Sequence, residues 1–516
     1  MVLVMAFILS AGMTQTGCSE LLQLLGMLLP AESLLPTTKY FLKKYFQLNP
    51  ESIAVRFYCP QCCCSLTSTL WCSICDLTYD KAVLNKNHNF FLYLPLLPQL
   101  INLLETRHFG SKLRSTSRLA CHDGFSDIYD GKKYREFMSG ILAKDDNAMS
   151  LTFNTDGVPL FKSSSFCIWP LQTFINELPA LERKVNFLLS GLWFGNCKPN
   201  LATFLKPFTD EMQVLGSIGF DWLRNGVKIR SLVFAVACCC DSVARAMLQN
   251  IMQFNGAFGC SWCLCPGESV KKGKDFVRVY TAVHDLLLRD DGGLRDCARK
   301  AHDDGIPISG VKGPSPLSLL PGFDMVTGFV VDYMHSVDLG VTRQLSHLWF
   351  DSANHGKPWY IGKRIAEIDK RMMCTLPPSN VTRVPRELST RAYWKANEWR
   401  SFLLFYAPIV LEGILPLSYY KHMLLLSTAL FSLQREVISD VDLFHISTYL
   451  EEFVSSFRDL YGTEYMSYNV HLLLHMTDCV RNWGPLWCYS AYSFESANGL
   501  FLKLFHGTQA VAKQIV

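Results

Sequence analysis

Two short stretches more than two hundred residues apart constrain this chain most: GCSWC, which carries Cys260 and Cys263, and NVHLLLH, which carries His471 and His475. On a helix, residues four apart share a face, so both imidazoles look the same way. In a run otherwise made mostly of leucine, they read either as core histidines with hydrogen-bond partners or as half of a metal site. A Cys-x2-Cys knuckle is the complementary half, and Cys260, Cys263, His471 and His475 together make a Cys2His2 set for structural Zn2+. Cys265 competes for the second thiolate, its alternative being a buried thiol. If the halves meet, about 200 residues of chain are closed into a loop pinned at its neck.

That closure has a purpose if the neck adjoins chemistry. Cys260 and Cys263 follow Asp241 by 19 and 22 residues, and Glu495 follows His475 by 20. MSLTFNTDGVPLF alternates apolar and polar residues up to Asp156-Gly157, a strand ending in a turn. KIRSLVFAVACCCDSVARAMLQ holds a continuous apolar run, as expected of a strand buried on both faces, after which Asp241-Ser242 opens a helix. SFESANGLFLKLFHG reads as a final helix with Glu495 near its start. Two aspartates at neighbouring strand ends and a glutamate on a following helix can hold a pair of divalent cations about 3.5–4 Å apart, the arrangement for in-line attack on a phosphodiester. Oxygen ligands select Mg2+ or Mn2+. Singly, each acid also reads as a turn residue, an N-cap or a first-turn acid.

A second cysteine cluster lies in RFYCPQCCCSLTSTLWCSICDLTY. Cys59-x2-Cys62 and Cys72-x2-Cys75, nine residues apart, resemble a zinc ribbon with four thiolates on two tight turns. Cys63 and Cys64 are alternatives to Cys62. Twenty cysteines, many in CC, CCC and CxxC clusters, read as reduced thiols and metal ligands, which points to a reducing compartment. The opening MVLVMAFILSAG is apolar but lacks a basic flank, so a secretory signal is not expected, and no apolar run reaches the roughly 20 residues of a membrane span. A net charge of +4 neither requires nor excludes nucleic acid.

With 516 residues and 49% hydrophobic content, the chain is expected to be folded and to divide into several parts. These are an N-terminal helical segment (1–55), a zinc-ribbon-like module (56–105), a linker with short helices (106–147), the first part of an α/β core (148–258), a zinc-clamped, mostly helical insertion (259–480) and the core's last helix (481–516). The basic clusters KYFLKK, KSS after Asp156, ESVKKGK and GKRIAEIDKR read as solvated faces that can also grip phosphates. Asp332 and His335 in DYMHSVDLG read first as the start of a helix with a hydrogen-bonded histidine, and second as part of a catalytic or DNA-contacting surface.

The stretches NTDGVPLFKSSS, AVACCCDSVARA, FNGAFGCSWCLCPGE, DYMHSVDLGVTRQL and YNVHLLLHMTDCVRNWGPLWCYSAYSFESANGLF resemble the transposases of CACTA (En/Spm-type) DNA transposons of animal genomes, over residues 15 to 516. The resemblance implies an α/β, RNase H-like DDE core interrupted by a helical insertion, with Asp156, Asp241 and Glu495 as the catalytic acids. It also implies Mg2+-dependent cutting at transposon ends, strand transfer into target DNA, nuclear localisation and a homodimer or higher oligomer. The split Cys/His site is similar to that of the V(D)J recombinase. A transposase of this type is expected to run further at both ends, which suggests a truncated copy. A non-cleaving DNA-binding descendant and a nuclease acting on RNA or hybrids are the competing expectations.

Overall fold

The computed structural model describes residues 15–28, 53–107, 109–113, 124–142, 145–160, 166–377, 381 and 383–503. KYFLKK, the KSS segment and part of the expected linker (108, 114–123 and 143–144) lie outside the described residues, as does the chain after 503. Of the N-terminal segment, a helix over Gln15–Leu28 is described.

The fold is mixed α/β, built on one eight-stranded sheet. Its strands are β1 (Ala54–Phe57), β2 (Phe90–Tyr93), β3 (Met149–Thr155), β4 (Val158–Pro159), β5 (Cys167–Ile175), β6 (Leu188–Gly195), β7 (Val233–Cys240) and β8 (Phe329–Val331). They run in the order β1-β2-β6-β5-β3-β7-β8, with β4 paired to β5. β3, β5 and β6 form an antiparallel meander, whereas β7 lies parallel to β3 and β8 parallel to β7. Three neighbouring strands therefore end at the same edge of the sheet.

β7 shows why this sheet must be covered on both faces. All eight of its residues are buried, as a parallel strand packed above and below requires. Val233, Ala235, Cys238 and Cys240 join one hydrophobic cluster, while Phe234, Val236 and Cys239 join the other. The alternation changes phase because the pairing with β3 skips from Ala235 to Ala237, leaving an extra residue. Against the first face packs α1 (Leu201–Ser217), through Phe204, Phe208, Met212 and Leu215 at helical spacing.

α2 (Ser242–Gln249) adds Ala244, Ala246 and Leu248 to the same cluster, whereas the other face is covered mainly by chain from the expected insertion. There α3 (Leu417–Ser432) and α4 (Asp440–Tyr461) pair lengthwise. They are followed by α5 (Tyr468–Leu472), α6 (Met476–Trp483) and α7 (Ala491–Leu502). The insertion is not purely helical: β8 arises within it and completes the sheet. A strand of three residues, FVV, is too short to show a period against its helical surroundings.

β1 and β2, on either side of the four-cysteine stretch, pair with each other, and β2 pairs with β6. The cysteine knuckles are thus an excursion from the sheet's outer edge. Among the described residues, no helix is long and apolar enough to cross a membrane.

Candidate metal centres and acidic site

Cys260 and Cys263 arrive on the loop after α2, and His471 on α5. His475 closes a 3-10 turn, Leu473–His475, that tightens the helix expected there. All four side chains are buried. Cys260 Sγ lies 3.5 Å from His475 Nε2, Cys263 Sγ 3.3 Å from His471 Nε2, and the two Nε2 atoms 3.3 Å from each other. A tetrahedral Zn2+ with bonds of about 2.3 Å to sulfur and 2.05 Å to nitrogen has S···N edges of about 3.5 Å and an N···N edge of about 3.3 Å. The cluster has the dimensions of that tetrahedron and could hold zinc. Cys265, though buried, is not in it.

The surroundings fix the ligands. Tyr280 stacks on His471 and Trp262 on His475, at 5.1 and 5.9 Å between ring centres. Arg289 ties the knuckle from behind, donating to the carbonyls of Cys260, Cys263, Phe258 and Ser309. Four protein donors leave no open position, so a metal here is structural.

The ribbon cluster is built from Cys59, Cys62, Cys72 and Cys75; Cys63 and Cys64 are not part of it. Its S···S separations of 3.8 Å for Cys59–Cys75 and 3.4 Å for Cys62–Cys72 are close to the edge of about 3.8 Å that four Zn–S bonds imply. Burial raises the Cys59 thiol, but the Cys62 and Gln61 backbone N–H groups and the Tyr79 hydroxyl outweigh it and bring the pKa down to about 6. Thiolate character of this kind suits a metal ligand. Positive φ at Cys63, Leu70 and Asp76 marks the tight turns on which these sulfurs sit.

The acids meet at the shared sheet edge. Asp156 follows β3, Asp241 follows β7 and Asp332 follows β8, so three parallel neighbours each deliver an aspartate at their carboxyl ends, where open α/β sheets place ligands. Asp241 caps α2, accepting from Ala244 N at 2.6 Å. Glu495 comes from α7. That helix is docked by Phe494 stacking on Phe174, by Gln172 donating to Asn498, and by Ala491 N donating to Asp332 Oδ1 at 3.1 Å. Ligand atoms of Asp156, His335 and Glu495 all fall within 4.8 Å of one another; Asp241 is outside this tight set but acts on it electrostatically.

The electrostatics are strained. Burial and the charge of Asp241 push Asp156 up to about 7, against the pull of the Gly157 N–H and of His335. Glu495 keeps solvent access on one side. The protein on its other side, with Asp332 and Asp241, raises its carboxyl too. His335 answers this charge: burial works against its cation, yet Asp332, whose Oδ2 lies 2.8 Å from Nδ1, Asp241 and Asp156 hold its pKa at about 9. Asp332, though buried, is kept below the ordinary range by His335 and by the N–H groups of His335 and Ala491. Sequence reading gave His335 first to a helix start. It does open a helix, the π-helix Met334–Thr342, and it stands in the acid cluster as well. The signal that finds it is the DxxH spacing just after a strand end.

No family model matches the chain, and no curated protein matches it.

Proposed function

We propose that the chain is a DDE-type DNA transposase derived from a CACTA-like element, in which an RNase H-like core cleaves transposon ends and joins them to target DNA in the nucleus, acting as a dimer or larger assembly. One observation carries this reading: a glutamate on the last described helix comes within 4.8 Å of Asp156 across roughly 340 residues of chain, at the edge where Asp241 also emerges. The sheet's three-stranded meander, extended by two parallel strands, supports such a core. Carboxylates crowded until Asp156 titrates near 7 suit a cation site, because a divalent ion relieves their repulsion. Mg2+ or Mn2+ held by Asp156, Asp241 and Glu495 would activate water or a 3′-hydroxyl and stabilise the leaving oxygen. The protein's own share is to hold these acids rigidly, through the Asp332 and Phe494 contacts of α7 and the zinc-sized clamp at the insertion's neck.

The test is cleavage of duplex DNA carrying the repeats that flank the coding region, with Mg2+ or Mn2+. Asp156→Asn, Asp241→Asn and Glu495→Gln are each expected to lower cutting at least about a thousandfold, since each removes ion binding outright. Activity retained in all three sinks the assignment. A non-cleaving DNA-binding descendant is favoured by one observation, the engagement of Asp241 as a helix cap; it predicts end binding without any cutting. Parallel RNA and hybrid substrates separate out a general nuclease.

A further inference from the structure

We propose that His335 is itself a metal ligand, so that Asp156, His335 and Glu495 form a mixed nitrogen–oxygen site whose preferred ion is Mn2+, with Asp332 as the carboxylate that orients the imidazole. The inference rests on the acid cluster being a cation site, as the function proposed above requires, and not on DNA cleavage.

Three observations carry it. His335 belongs to the tight set: its ring offers a ligand atom within 4.8 Å of those of Asp156 and Glu495, which Asp241 does not. The imidazole is held in the way metal-bound histidines are held. Nδ1 is engaged by Asp332 Oδ2 at 2.8 Å, and the same oxygen accepts the His335 backbone N–H at 2.9 Å. That fixes the ring and leaves Nε2 to give its lone pair to a metal once the ion displaces the proton that the surrounding acids hold there, the carboxylate–histidine–metal pattern. Finally, His335 sits in the first turn of a nine-residue π-helix, Met334–Thr342. Such helices are costly to form and concentrate at functional sites.

The other carboxylate oxygen of Asp332, Oδ1, accepts from Ala491 N, at the start of the helix that carries Glu495. One buried carboxylate therefore sets two of the three ligands. Two carboxylates and one imidazole suit Mn2+ better than Mg2+, which prefers an all-oxygen shell with several waters.

The experiment uses the full chain, with its thiol sites first saturated with zinc, and Mn2+ as the probe. Pulsed electron paramagnetic resonance of bound Mn2+ is expected to show coupling to one imidazole nitrogen. In His335→Ala and His335→Gln that coupling disappears and Mn2+ affinity falls at least about tenfold, while Mg2+ affinity changes less; Asp332→Asn weakens Mn2+ by about 10–100-fold. Zinc content and melting temperature check that the variants fold. A wild-type Mn2+ signal without nitrogen coupling, which needs no variant, overturns the proposal. So does coupling that survives in both His335 variants. If Asp156→Asn and Glu495→Gln abolish Mn2+ binding but the His335 variants do not, the cation site stands and only this ligand assignment falls. If none of the four alters Mn2+ binding, the acid cluster is not a cation site and the function proposed above falls with it.

Discussion

The Cys/His clamp and the acid cluster lie at opposite ends of the same three-residue strand, and they are opposite in kind. Trp262, stacked on His475, donates to Phe329 O at the start of β8, Cys479 accepts from Val331 N, and Asp332 follows directly. At the clamp the ligands face one another in a dry, aromatic-lined pocket with a second layer of bonds from Arg289. At the sheet edge like charges are forced together, partly open to water, and one histidine is held cationic among them. The difference separates what a site does for the fold from what the fold does for a site. The clamp lowers the free energy of the folded chain once metal is bound. The acids raise it, and they persist because everything around them is over-determined.

The largest test of that contrast is at the clamp. Cys263→Ser or His475→Ala should lower the zinc content by one ion and destabilise the chain by more than about 4 kcal/mol, since a structural metal is lost and buried partners are left unpaired. Differential scanning calorimetry together with zinc analysis reads both. The ribbon supplies the internal control. Its ligands span 16 residues (Cys59 to Cys75) against 215 at the clamp (Cys260 to His475), a closure that costs about 2 kcal/mol less chain entropy. Cys72→Ser should therefore loosen the knuckles at the sheet margin, seen as fast amide exchange there, with β3 and β7 still protected. An unchanged melt in the clamp variants would remove the basis for calling that cluster structural.

Two buried histidines sharpen the comparison through pH. His422, between α3 and α4 in the dry half, stacks on Phe453 at 4.0 Å between ring centres and lies 2.9 Å from its carbonyl oxygen through Nε2. Burial lowers its pKa to about 4. Because the unfolded chain takes up this proton near pH 6.5 and the folded chain only near 4, the contribution of His422 is intact above 6.5. It declines as pH falls between those values, by up to about 3 kcal/mol. His422→Gln keeps an N–H donor but does not titrate, so its denaturation midpoint should fall less over that interval. Parallel pH profiles for the two proteins would show that His422 is not the acid-labile group. His335, held up by Asp332, should stay charged over the same range in the metal-free chain.

What the sequence revealed follows the same division. Thiolate and imidazole ligands must be particular residue types at tight spacings, so both zinc-sized clusters were legible from CxxC and HxxxH, although the choice among Cys62, Cys63 and Cys64 was not. It depends on backbone turns with positive φ that no spacing reports. The strand ends before Asp156 and Asp241 were legible for different reasons: the first from an alternating apolar–polar run that closes in a turn, the second from the unbroken apolar run that a buried parallel strand needs. β8 was not, being three residues inside helical chain, and without it Asp332 and His335 read first as a helix start and only second as part of a catalytic or DNA-contacting surface. Their proximity to Asp156 is a product of strand order, which only long-range pairing sets.

The smallest expected effect has the opposite sign from the clamp's. The Asp156 carboxyl titrates at about 7 in the folded chain, against an ordinary aspartate in the unfolded one, so its charged form is disfavoured by folding. Below about pH 4 both states are protonated and no penalty exists. The penalty grows as pH rises and is complete above 7. Without divalent ions, Asp156→Asn should therefore match the wild type near pH 4 and exceed it in stability at pH 8, by about 2 kcal/mol once solvent screening and coupling to Asp241 are allowed for. Adding Mn2+ should reverse the order, because the ion binds only the folded wild type and stabilises it by mass action. Urea melts at the two pH values, with and without Mn2+, measure all of this. A variant less stable than wild type at pH 8 in chelator would mean that Asp156 is held by favourable contacts, as the clamp ligands are, and that the two ends of β8 do not differ in kind.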